Sequence, residues 1–151
     1  MVSKKVKLLY LISISVFLTY LLLLLYHYSE IAQTVASHVD ITGKVDGYSS
    51  KKSLLISSGV NLLILVFIGL LIKNPKSANY PVEITDGNRE SMYKKMQLFL
   101  CLIAIITTSV FSYMVFKAIG LEKNFIYLIL YLIIAPLIAI LYFGRDKKVQ
   151  S

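Results

Sequence analysis

The chain has 151 residues, enough for one domain at most. Hydrophobic residues make up 57% and charged residues 16%, against about 25% charged in an ordinary soluble domain. The net charge is +8 and there is one cysteine, so a soluble globular class is disfavoured and no intrachain disulfide can staple a loop.

The apolar residues are grouped. Four 19-residue windows, 8–26, 54–72, 98–116 and 125–143, contain no Asp, Glu, Lys, Arg or His. As a helix rising about 1.5 Å per residue, each reaches roughly 28 Å, close to the hydrocarbon core of about 30 Å. Lipid offers backbone groups no water, so each run must bond internally as a helix. The runs do not alternate, which argues against a barrel. The expected class is all-α: a polytopic membrane protein, one domain over 1–151, with four transmembrane helices and an ordered extracytoplasmic loop.

Met1–Lys7 is a short basic leader. The apolar run after it is longer than a signal-peptide core of about 7–15 residues, so an uncleaved anchor is expected. The first run ends in Tyr26-His27-Tyr28, rings suited to a membrane boundary. In the loop 27–53, Ile31–Val39 is mildly apolar and suits the membrane surface. Thr42-Gly43-Lys44 and Asp46-Gly47 read as turns, flanked by Val45 and Tyr48. The loop therefore reads as a compact, turn-rich cap. Ser49–Ser53 supplies an N-cap and a basic stop before the second run.

Ser57 and Asn61 share a face of the second run, and an amide in lipid seeks a partner on another helix. Ala104, Thr108 and Ser112 form a small-residue seam on the third run, where Cys101 should pack as a small apolar residue. In the fourth run, Ala135 and Ala139 flank Pro136, a candidate kink. The loop 73–97 carries Asn74-Pro75, Asn79-Tyr80-Pro81 and the turn cluster Thr85-Asp86-Gly87-Asn88, with 89–95 as a polar lead-in to the third run.

Eleven of the sixteen Lys and Arg lie on the two termini and the 73–97 loop, and five on 27–53 and 117–124. The positive-inside bias predicts a multi-pass protein of the cell membrane with both termini cytoplasmic and the 27–53 loop outside. These basic flanks are better matched to anionic lipid than to nucleic acid, which is not an expected partner.

Candidate chemistry is sparse. His27, Glu30, His38, Asp40 and Asp46 are the potential metal ligands outside the membrane, but their spacing follows no specific zinc pattern. His27 and Glu30 share a helical face, and His38 and Asp40 would share a strand face. No nucleophile elbow, phosphate loop or HExxH appears, so neither catalysis nor a cofactor is expected. No ionisable residue lies in the apolar windows, which disfavours a transport pathway unless chains oligomerise.

Two motifs carry a resemblance. One is His38-x-Asp40-x-x-Gly43-x-x-Asp46-Gly47-Tyr48-Ser49-Ser50-Lys51, between two membrane runs. The other is Asn79-Tyr80-Pro81-x-x-Ile84-Thr85-x-x-Asn88-x-x-x-x-Tyr93. Together they resemble domain-of-unknown-function family 1648 (DUF1648), the N-terminal domain type of SdpI-like immunity proteins, which protect bacteria from a secreted killing peptide. Where that family tends to carry an acid before the asparagine, this chain has Gly87. The resemblance implies a small bacterial multi-pass protein. Its outer loop (His38, Asp40, Gly43, Asp46, Gly47, Tyr48, Lys51) would structure itself or meet an extracellular peptide or membrane-protein partner. Its cytoplasmic motif (Asn79, Pro81, Thr85, Asn88, Tyr93) would report or anchor. The alternative is an accessory or structural subunit that packs on a larger membrane protein, or on another copy, through the seams in the second to fourth runs.

Overall fold

The computed structural model describes residues 2–40 and 44–120. The expected fourth helix, 125–143, and Gly43 of the first loop lie outside the described residues. The chain runs α1 (Lys4–His27), β1 (Thr34–Val39), β2 (Val45–Ser50), α2 (Lys52–Lys73), a 3₁₀ turn (Pro75–Ser77) and α3 (Arg89–Ala118).

Three helices are thus long and apolar enough to cross a membrane. Their 24, 22 and 30 residues correspond to about 36, 33 and 45 Å of helix. Their outward surface is apolar: Leu22 is 66%, Leu63 70% and Phe67 62% exposed. Water-soluble proteins rarely show so continuous an apolar surface, whereas lipid tails solvate it, as befits a membrane protein.

Ser3 starts α1: its side-chain oxygen accepts from the Val6 N–H at 3.3 Å, satisfying one of the unpaired donors of the first turn. The buried stripe of α1 is Val6, Ser13, Phe17, Tyr20 and Leu24, in steps of seven, four, three and four, the spacing of one helix face. It packs mainly on α3, which also receives α2. The facing stripe on α3 is Gln97, Cys101, Ala104, Thr108 and Ser112, all buried. The small-residue seam expected there lies inside this three-helix contact.

Between lipid-embedded helices, close packing and polar pairs do the work that water exclusion does elsewhere. Tyr20 of α1 donates its hydroxyl to Asn61 Oδ1 at 2.9 Å. Asn61 Nδ2 donates to Thr108 Oγ1 of α3 at 3.4 Å. All three residues are 0% exposed, so one amide ties three helices together. The Tyr10 hydroxyl donates to the Leu65 carbonyl at 2.6 Å. A Cβ on Gly69 would lie 2.6 Å from that hydroxyl oxygen, so the glycine leaves room for the Tyr10 ring to reach the α2 backbone. Cys101 is fully buried, its thiol 3.4 Å from the Val6 carbonyl, and it packs as a small core residue.

The first loop departs from the all-α expectation. It forms an antiparallel hairpin in which Thr34 faces Ser50, Val35 faces Ser49, Ala36 faces Tyr48, His38 faces Gly47 and Val39 faces Val45. The register shifts after Ala36, a bulge that leaves Ser37 without a partner residue.

Candidate functional site: the hairpin end of the bundle

Asp46-Gly47 was expected to turn the chain; instead it lies within β2. The reason is steric. Gly47 sits opposite His38, and a Cβ there would come within 2.8 Å of the His38 Cβ, so the bulged strand can approach only a glycine. The reversal falls between Asp40 and Lys44. Asp40 N–H donates to the Lys44 carbonyl, and Lys44 N–H to Asp40 Oδ1, each at 2.9 Å. Asp40 is thus tied to Lys44 by a reciprocal pair of bonds at the strand ends.

Strand alternation divides the hairpin into two faces. Along β2, Asp46, Tyr48 and Ser50 are exposed and Val45, Gly47 and Ser49 half-buried. On β1, Val35 is buried and β1 lies against α3. The outward face carries His38, whose Nδ1 bonds Asp46 Oδ1 across the strands. Tyr48 beside them is 68% exposed. His27, the last residue of α1, and Glu30, in the turn beyond it, pair separately at 2.7 Å. Among the described residues no group of three His, Cys, Asp or Glu could hold a metal ion.

Lys51 has the most definite role. Its ammonium donates to the carbonyls of Tyr28 at 3.0 Å and Ile31 at 3.2 Å, and lies 4.8 Å from the centroid of the Tyr28 ring. A helix ends with carbonyls that lack intrahelical donors, and a cation there also meets the negative end of the helix dipole. Lys51, at the foot of β2, thus pins the hairpin to the end of α1. Its own N–H donates to the Gln33 carbonyl at 2.9 Å. The expected serine cap of α2 is not formed: the N-cap is Lys51, which makes no side-chain cap bond, and Ser50 Oγ, one residue earlier, accepts from Lys52 N–H at 3.4 Å.

The second motif lies at the opposite end of the bundle. Asn88 holds a turn with its side chain: Oδ1 accepts from Thr85 N–H and Nδ2 donates to the Glu83 carbonyl, each at 2.9 Å. Tyr80 donates its hydroxyl to the Pro75 carbonyl at 2.8 Å, and its ring packs on Tyr93 with centroids 5.9 Å apart. Burial, then the neighbouring Tyr93, raises the Tyr80 pKa above its ordinary value. Asn79 and Pro81 are exposed. At Gly87 an added Cβ would meet only Thr85 Oγ1, at 4.0 Å, so space does not require glycine there.

Gln97 was not singled out from sequence. It is buried and donates from Nε2 to the Ile72 carbonyl at 2.9 Å, supplying a donor to the last turn of α2. Its place in the stripe 97, 101, 104, 108 was the signal; counting it with the polar loop hid that. Compared with protein-family models, curated proteins and solved structures, the chain matches none.

Proposed function

We propose that this is a multi-pass membrane protein that carries its hairpin outside the cell and uses it to receive an extended peptide, in an immunity or signalling role of the SdpI-like kind. The observation that carries the reading is a two-stranded sheet with no third strand among the described residues, pinned to the bundle by Lys51. Unpaired strand edges take up an added strand through main-chain hydrogen bonds, and exposed side chains such as His38 and Tyr48 then select the partner. The lysine distribution supports an outward hairpin and cytoplasmic termini. The resemblance of the hairpin and second-loop motifs to DUF1648 supports the class.

The subunit reading has less in its favour. Of the seam residues it would offer to a partner, Asn61, Ala104, Thr108 and Ser112 are buried within this chain, Ser57 is half-buried, and Ala135 and Ala139 lie outside the described residues. The test is genetic. Deletion should raise the sensitivity of the cell to a secreted killing peptide, and wild type should restore protection where Tyr48→Ala does not. Unchanged sensitivity to every such peptide would count against the proposal.

A further inference from the structure

At the end opposite the hairpin, a cleft of about 400 Å³ opens between the last turn of α2, the 3₁₀ turn and the first turns of α3. That volume falls within the roughly 300–1,000 Å³ of small-ligand sites. Its charged lining residues are Lys73, Lys76, Lys94 and Glu90. Glu90 is matched by Lys94, whose Nζ lies 2.7 Å from Oε1. Lys73 and Lys76 make no ion pair with any described residue. Among the described residues the cleft therefore holds two positive charges with no acidic partner, with Tyr93 on its wall.

Its depth along the bundle points to the ligand. Ile72, buried at 5% exposure, is the last apolar residue of α2, and Lys73 follows it directly. The cleft thus begins where the apolar surface of the helices stops, the level at which lipid phosphates lie, and basic pockets between membrane helices hold such groups. Gln97, which lines the cleft, bonds the Ile72 carbonyl, so a braced helix junction forms much of its wall, with Val2 ahead of α1 completing the lining.

We propose that this cleft binds the phosphate headgroup of an anionic glycerophospholipid, with Lys73 and Lys76 as its principal contacts. The inference requires the helices to lie in a bilayer but not that the hairpin binds a peptide. The test uses the full chain in nanodiscs of equal phosphatidylcholine and phosphatidylglycerol, with lipids retained on the protein counted by native mass spectrometry. Wild type should retain phosphatidylglycerol preferentially. The exposed double change Lys73→Gln with Lys76→Gln should weaken that preference by about fivefold per lysine removed, and Lys73→Arg with Lys76→Arg should keep it. Lys52→Gln, which removes a single lysine charge at the hairpin end, should leave it unaltered. Preference that survives in the double glutamine variant, or that falls equally in Lys52→Gln, would overturn the proposal. Inorganic phosphate competing away the retained lipid at low millimolar concentration would also overturn it, in favour of a free-anion site.

Discussion

The two connections between helices answer the same problem differently. Both must satisfy the free carbonyls of a helix end. At the end of α2, Gln97 of α3 supplies a donor to the Ile72 carbonyl, while the 74–88 connection folds on itself, with Asn88 bonding its own turn and Tyr80 bonding Pro75 and packing on Tyr93. The hairpin draws on one long side chain, Lys51, to reach the end of α1; among the described residues no third strand pairs along its edges, and its polar face is exposed. One connection is closed and the other presents backbone. That contrast is why a receiving role is assigned to the hairpin.

The largest disruption should come from Gly47→Val. Its Cβ would crowd the His38 Cβ at 2.8 Å, and overpacking of this kind costs about 1–3 kcal/mol. Amide exchange should accelerate across 34–50 while 74–88 stays protected. Lys51→Gln should remove charge-assisted bonds worth about 1.5–3 kcal/mol, loosening the hairpin from α1 with helix content intact by circular dichroism. Asn61→Leu should lower the stability of the bundle by about 1–2 kcal/mol and affect both ends alike; a selective effect on one end would blur the contrast. The smallest effect belongs to Tyr80→Phe, about 1 kcal/mol confined to the 74–88 connection. Because the Tyr80 pKa is raised from 10.0, its contribution is whole below that pH and is lost as pH climbs through the raised value. The phenylalanine variant should lack that loss.

The parts of the fold legible in sequence were those fixed by hydrocarbon length and by polar groups with few options. Three of the four apolar windows coincide with the long apolar helices, the fourth lying outside the described residues, and the Asn61 amide was expected to find a partner on another helix, as it does at Thr108. The hairpin was less legible because Asp-Gly is a strong turn signal locally. Its use within a strand depends on His38 being brought opposite by a bulge, which is a tertiary fact. The start of α3 was legible only as a polar lead-in: the helix begins at Arg89, since Met92, Met96 and Gln97 bury against the bundle. In sequence Gln97 counts with the polar loop, and Lys51, though named with the outer-loop motif, also reads as part of a basic stop. Polar residues near the end of a span read as flank, yet their reach lets them satisfy carbonyls on a neighbouring helix.

The most direct test is the sidedness of the two connections. On a Cys101→Ser background, Tyr48→Cys and Asn79→Cys can be treated separately in intact cells with a membrane-impermeant maleimide. Both positions are exposed, so access is decided by the membrane. Tyr48→Cys should be labelled from outside and Asn79→Cys only after the cells are opened. Labelling of both in intact cells, or of Asn79→Cys alone, would contradict an outward-facing hairpin and the receiving role built on it.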